Sequence, residues 1–138
     1  MKSPHSLTIT ATIRDVDGVS KEFYEKVHEL TTKDEIFAVA TVVKTEGSTS
    51  GREGHKMIVL QDGTILFGSV GGGCVESAAV SEALQAFREG EPRSITLDMV
   101  EEEKGGVGMP CGGRLQLYVE PYLPKPALLI IGSGPIAE

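Results

Sequence analysis

The chain has 138 residues, of which 40% are hydrophobic and 24% are charged, a composition typical of one globular domain. Its formal net charge of −7 repels phosphate backbones, and no basic cluster interleaved with aromatics offsets that charge, so nucleic acid is not an expected partner. No apolar run approaches the ~20 residues needed to span a bilayer, and residues 1–16 lack the apolar stretch of a secretory signal. The sequence therefore predicts a cytoplasmic protein without membrane insertion.

A helix followed by a buried strand is predicted first. Ser20 is a residue type favoured at helix N-caps, and the helix should end near Lys33. Its apolar residues recur at i, i+4 and i+7 and predict one buried stripe: Phe23, Val27 and Leu30. The run at residues 36–43 is dense in β-branched residues, which is typical of a central strand covered on both faces.

A hairpin, a helix and two more strands follow. The dipeptide Asp62-Gly63 between apolar runs at 56–60 and 64–67 is a strong hairpin signal. A glycine turn then leads into a helix that should stop at Gly90, with Pro92 just beyond it. Alternating apolar residues predict two further strands, one at Ile95, Leu97 and Met99 and one at Leu115, Leu117 and Val119.

The end of the sequence has a different character. Pro121, Pro124 and Pro126 form a stiff segment typical of a domain boundary. We therefore predict a domain at residues 1–121 and a proline-rich connector at residues 122–126.

An apolar run at residues 127–131 precedes the letters GSGPIA, which fit the G-x-G-x-x-A fingerprint of dinucleotide-binding folds. The sequence ends where the helix of that fold should begin, so residues 127–138 are predicted to be the first strand and glycine turn of an incomplete Rossmann-like unit. The predicted fold is α/β, with a mixed β-sheet and two main helices, followed by this fragment.

The most informative feature is the turn at Gly71, Gly72 and Gly73, between a strand and a helix. Such a turn presents backbone N–H groups at the positive end of a helix dipole, which suits an anionic group such as phosphate. The dipole also favours the thiolate of Cys74, whereas the charge of Glu76 in the same turn opposes it.

A second cysteine, Cys111, lies in a similar setting, because it is followed by Gly112 and Gly113 and then by a strand. The conservative interpretation is that the glycines form tight turns and that Cys74 is a small buried hydrophobe. Two cysteines on two glycine loops instead favour a shared site, provided that the loops meet.

Two cations near the first loop, Arg52 and Lys56, are further candidates for pairing with a phosphate, although solvated surface charge is the commoner explanation. The chain has no His/Cys spacing typical of zinc, so no structural metal is predicted.

Taken together, these motifs resemble the first domain of XdhC/CoxI proteins, over about residues 36–121. The segments that carry the resemblance are Ala40-Thr41-Val42-Val43, Glu46-Gly47-Ser48, Lys56-Met57, Asp62-Gly63, GSVGGGCVE at 68–76, Cys111-Gly112-Gly113 and Val119-Glu120-Pro121. Two departures stand out. Gly51-Arg52 occurs where relatives often have a proline before the arginine, and the usual second, Rossmann-like domain is missing after Ala137.

The resemblance implies an accessory chaperone rather than an independent enzyme. Proteins of this kind bind molybdenum cofactor transiently, support its sulfuration and deliver it to an apo-hydroxylase of the xanthine dehydrogenase or carbon monoxide dehydrogenase type. It implies that the two glycine loops, together with Glu76 and the nearby cations Arg52 and Lys56, bind the cofactor. Cys74 and Cys111 are then expected to contact molybdenum or sulfur. A separate Rossmann-like subunit, a sulfur donor and a homodimer are further partners that it leaves open.

Two other functions remain as alternatives at this stage. Residues 132–137 suggest part of an NAD(P)-binding oxidoreductase, but the helix and acidic ribose ligand of such a site would lie past the end of the sequence. Alternatively, the glycine loops shape a non-catalytic surface for a partner.

Overall fold

The structure, a computed structural model, describes residues 20–99, 112–126 and 128–134. Two helices and five strands follow one another as α1 (Lys21–Thr32), β1 (Phe37–Glu46), β2 (Lys56–Leu60), β3 (Ile65–Gly68), α2 (Gly73–Glu89), β4 (Arg93–Met99) and β5 (Gly113–Tyr122). The strands form one sheet in the order β3-β2-β1-β5-β4. The predicted α/β class with two helices is confirmed.

The pairing of the strands differs from the prediction, because the sheet is antiparallel throughout and not mixed. A strand–helix–strand unit usually places its two strands side by side and parallel. Here α2 connects β3 at one edge to β4 at the other, and three strands of alternating direction lie between them. The two strands therefore point the same way without pairing.

α1 begins where its cap was predicted. Ser20 has extended backbone angles, and its side chain accepts a hydrogen bond from the N–H of Phe23 at 3.2 Å, which satisfies one of the free donors at the helix start. Phe23 and Leu30 of the predicted stripe are buried and Val27 is half-buried. This stripe packs on one face of the sheet, against Phe37 and Ile58.

β1 is central, as predicted, but it is covered on both faces only over its first part, and Val43 is 45% exposed. β2 and β3 form the predicted hairpin around Asp62-Gly63. The turn is held by the N–H of Thr64, which donates to Asp62 Oδ1 at 2.9 Å.

α2 covers the other face of the sheet. Its buried stripe consists of Val75, Ala79, Ala83 and Ala86, and the small alanines allow the helix to approach the strands closely. It packs on fully buried strand residues, among them Met57 and Leu117. The helix ends at Gly90, which adopts a left-handed conformation as its C-cap.

The apolar run near the C-terminus is not a strand in the structure, in contrast to the prediction. Residues 128–131 have no regular secondary structure, and their side chains are 66–86% exposed. A strand requires a neighbour to satisfy its backbone groups, and these residues have none in the sheet. Within the described residues, neither helix is long and apolar enough to cross a membrane.

Candidate functional site

Five strand termini lie together at one end of the sheet, because all neighbouring strands are antiparallel. We call this the glycine-loop end and define it by Glu46, Lys56, Gly68, Met99 and Gly113. Loop 47–55 and turn 69–72 both begin and end here. Met99 pairs with Gly113, so the connection from β4 to β5 also leaves and returns at this end.

Loop 47–55 packs directly against the glycine turn, backbone to backbone. A Cβ added to Gly51 would overlap the carbonyl oxygen of Val70, and one added to Gly71 would lie 2.8 Å from the Gly51 nitrogen. The hydroxyl of Ser50 also donates to the carbonyl oxygen of Gly71 at 2.7 Å. Glycine at both positions is therefore required by close approach.

The same loop contacts the start of β5 on its other side. A Cβ added to Gly113 would overlap the carbonyl oxygen of Ser48 and would lie 2.7 Å from Cγ2 of Thr49. Loop 47–55 thus lies between the glycine turn and the backbone that follows Cys111. Cys111 itself lies outside the described residues, so its contact with Cys74 stays a prediction. Gly113, two residues further on, lies at the glycine-loop end.

The glycine turn is open to a ligand. Gly71, Gly72 and Gly73 have φ values of +128°, +75° and +50°, and a Cβ on Gly72 or Gly73 would have nothing within 4 Å. Gly72, with ψ of 174°, occupies a region that only glycine adopts readily. Among the described residues, the N–H groups of Gly72, Gly73 and Cys74 have no acceptor, so three donors at a helix start remain available to an anion.

Cys74 is exposed and is a free thiol in the first turn of α2. The conservative interpretation of Cys74 as a buried hydrophobe is therefore wrong. Within residues 20–99, 112–126 and 128–134, no group of three His, Cys, Asp or Glu side chains is arranged to hold a metal ion.

The two predicted cations differ in their surroundings. Arg52 is exposed in the loop that contacts the glycine turn, and its backbone and that of His55 form a tight turn. The amine of Lys56 instead donates to Thr41 Oγ1 at 2.9 Å and lines a groove beside α1. Of the two, only Arg52 is attached to the loop at the glycine turn.

Two ion pairs lie at this end of the sheet. Lys44 contacts Glu46 at 3.3 Å, and Arg114 contacts Asp98 at 2.6 Å. The hydrogen bond to Asp98 and the charges of Asp98 and Glu46 raise the pKa of Arg114. Because Arg52 makes no ion pair among the described residues, it is better suited to pair with an anionic ligand.

Two serines that hold the turn were not among the predicted site residues. Ser69 accepts a hydrogen bond from the N–H of Gly71 at 3.2 Å and donates one to Glu76 Oε1 at 2.6 Å. A serine that bonds the backbone two residues ahead is a recognised turn signal, so Ser69 could have been found from sequence. Ser50 could not, since its partner Gly71 is 21 positions away.

Comparison with known proteins gives a consistent result. The family model described as "XdhC and CoxI family" matches residues 30–99, about half of the chain. The chain is 38% identical over 98 residues to the uncharacterised protein YqeB of Escherichia coli K12, covering 71% of this chain and 18% of YqeB. It is 32% identical over 100 residues to the molybdenum cofactor insertion chaperone PaoD of the same organism, covering 67% of this chain and 29% of PaoD.

A solved structure has the same fold. A crystal structure described as a xanthine dehydrogenase from Bacillus halodurans superposes with a TM-score of 0.59 at 31% identity, over 70% of this chain and 29% of that one. The chain therefore spans less than a third of the length of each of these relatives.

Proposed function

Because the chain belongs to the XdhC and CoxI family, we propose that it binds molybdenum cofactor as cargo in the cytoplasm. In this proposal it protects the cofactor while a separate donor supplies sulfur, and then passes it to the apo-form of a molybdenum hydroxylase. The similarity to PaoD, a molybdenum cofactor insertion chaperone, supports this role. The chain is an accessory factor in this scheme and catalyses no reaction of its own.

The observation that carries the proposal is the open glycine turn with an exposed thiol beside it. Among the described residues, the N–H groups of Gly72, Gly73 and Cys74 at the start of α2 have no acceptor, and a Cβ added to Gly72 or Gly73 would meet nothing within 4 Å. The phosphate of the cofactor matches such donors in charge. The thiol of Cys74 is a soft ligand suited to molybdenum or to a transferable sulfur. Arg52, exposed in the loop that packs on the turn, would add a charge-assisted contact.

The second cysteine loop completes the proposed site. Gly112 and Gly113 lie at the glycine-loop end, and Gly113 packs on Ser48, so Cys111 is attached to the part of the backbone that faces loop 47–55. We propose that Cys111 contacts the cargo from this side. Lys56 is assigned no contact, because its amine is hydrogen-bonded to Thr41 on the face of the sheet that carries α1, whereas the glycine turn leads into α2 on the other face.

Equilibrium binding of molybdenum cofactor to the purified full chain, followed by pterin fluorescence under anaerobic conditions, tests the proposal. Gly72→Ala places a methyl group where the phosphate would lie, and the loss of one or two hydrogen bonds should weaken binding about tenfold. Cys74→Ala and Cys111→Ala should each weaken binding, whereas Ser77→Ala, exposed one turn further along α2, should not.

The possible outcomes separate the alternatives. Unchanged affinity in both cysteine variants would remove the thiols from the mechanism while leaving the glycine turn in place. A wild-type chain that binds no cofactor but still binds the apo-hydroxylase would instead make it a non-catalytic interaction domain. Cofactor binding that persists in Gly72→Ala at wild-type strength would place the site elsewhere on the molecule.

A further inference from the structure

The carboxylate of Glu76 is already bonded within the protein. Its Oε1 accepts a hydrogen bond from the hydroxyl of Ser69 at 2.6 Å, and both residues are half-buried. Ser69 is in turn tied to β2, since its N–H donates to the carbonyl oxygen of Lys56 at 3.1 Å. The first turn of α2 is thereby connected through one serine to the sheet.

This bond fixes the direction of the serine hydroxyl. An ionised carboxylate only accepts hydrogen bonds, so the hydroxyl of Ser69 must use its proton toward Glu76. A lone pair of the same oxygen is then free to accept from the N–H of Gly71, as observed at 3.2 Å. The N–H of Gly71 is thus engaged, while the next three N–H groups along the chain have no acceptor in the part of the chain that the structure describes.

We propose that Glu76 is a positioning residue that holds the glycine turn through Ser69, and that its charge limits how tightly the turn binds an anionic cargo. Only the effect of the Glu76 charge on cargo binding rests on the proposed function. It changes the role predicted for Glu76, from a contact of the cofactor to a group that acts on the turn and not on the ligand.

The charge of Glu76 has two opposite effects. A negative charge in the first turn stabilises the helix through its dipole, but it repels a second negative charge bound at the same terminus. A cargo protein must release its ligand, and weakened binding favours release. Removing the charge while keeping the hydrogen-bond acceptor should therefore tighten phosphate binding without loosening the turn.

Three substitutions and one control separate these effects. Glu76→Gln keeps an oxygen that accepts from Ser69 and removes the charge, whereas Glu76→Ala removes both. Ser69→Ala removes the link and leaves the charge. Glu91→Gln, exposed beyond the other end of α2, is the control for the same change in net charge.

The first readout needs no cargo. Amide hydrogen exchange of Gly71, measured by NMR on the full chain, should be unchanged in Glu76→Gln and Glu91→Gln. In Ser69→Ala and Glu76→Ala it should accelerate about three- to tenfold, as expected for the loss or weakening of one hydrogen bond. Equal exchange in all four variants would overturn the positioning role.

The second readout is affinity for molybdenum cofactor. Glu76→Gln should bind about two- to fivefold more tightly than wild type, with Glu76→Ala weaker than Glu76→Gln and Glu91→Gln unchanged. Weaker binding by Glu76→Gln, with Gly71 exchange unchanged, would mean that the carboxylate contacts the cargo, and the inference would be wrong. If wild type binds no cofactor, the proposed function fails, while the exchange measurement still decides the positioning role.

Discussion

The contact between loop 47–55 and the glycine turn can be tested by adding a single methyl group. Gly51 is buried, and a Cβ at this position would overlap the carbonyl oxygen of Val70 and lie 2.9 Å from Cδ1 of Leu115. The leucine methyl can rotate away, but the carbonyl belongs to the backbone that leads into Gly71. Gly51→Ala must therefore push the loop and the turn apart.

The cost follows from the kind of contact that has to yield. Overpacking a tightly packed site costs about 1–3 kcal/mol, and a clash with backbone belongs in the upper part of that range. With a urea m-value of about 1–2 kcal/mol/M, a loss of about 2–3 kcal/mol lowers the midpoint of unfolding by about 1–3 M. Separation of the two segments should also break the hydrogen bond from Ser50 to Gly71.

Urea unfolding followed by circular dichroism gives the stability, and amide NMR of Gly71 and Gly72 reports on the turn. Gly54→Ala is the matched control. It lies in the same loop with φ of +90° and nothing within 4 Å of its Cβ position, so it should lose about 1–2 kcal/mol to backbone strain alone. In Gly54→Ala, the amide chemical shifts of Gly71 and Gly72 should stay at their wild-type values.

A free energy of unfolding for Gly51→Ala within about 0.5 kcal/mol of the wild-type value, the scatter expected for neutral surface changes, would contradict this prediction. Equal changes in the amide chemical shifts of Gly71 and Gly72 in both variants would also contradict it. In either case loop 47–55 would not hold the glycine turn in place, and it would no longer be part of the proposed site.

Two further predictions concern the local signals that the structure confirmed. Ser20→Ala removes the side chain that accepts a hydrogen bond from the N–H of Phe23 and should lower the free energy of unfolding by about 1 kcal/mol. Urea unfolding measures this loss, with Ser81→Ala, at an exposed position inside α2, as the control. Equal stability of the two variants would contradict the prediction. Hydrogen bonds from Thr64 hold the pKa of Asp62 below its ordinary value of 3.8, so the stabilisation by this carboxylate is complete above that value and is lost as the pH falls through the lowered folded-state pKa. Asp62→Asn keeps the acceptor and should abolish this pH dependence, which unfolding of both proteins between about pH 6 and about pH 2 will reveal; identical pH profiles would rule the explanation out.

The elements that sequence predicted well are those defined by neighbouring residues. The cap at Ser20, the hairpin at Asp62-Gly63 and the stop at Gly90 each depend on hydrogen bonds or dihedral angles within four positions. The order of strands in the sheet does not. Nothing local indicates that α2 crosses the whole sheet, and this crossing is what makes every neighbouring pair antiparallel.

The candidate site was predictable to a similar extent. The glycine turn and Cys74 follow from the strand–turn–helix pattern, and the structure places them at an exposed helix start. Lys56 was grouped with Arg52 because the two are close in sequence. The pleat of β2 then sends the Lys56 side chain to the face that carries α1. A strand alternates its side chains between faces, so sequence proximity was a poor guide at this position.

Antiparallel pairing also explains why the candidate site lies at one end of the molecule. Each connection between consecutive elements alternates between the two ends of the sheet. At the end opposite the glycine-loop end, the connections at 61–64 and 90–92 are short turns that serve only to reverse the chain. Loop 47–55, turn 69–72 and the β4–β5 connection all begin and end at the glycine-loop end, away from the hairpin turn at Asp62-Gly63 and the C-cap at Gly90. Substitutions at Gly63 or Gly90 should therefore alter stability alone, whereas substitutions at Gly72 should alter binding.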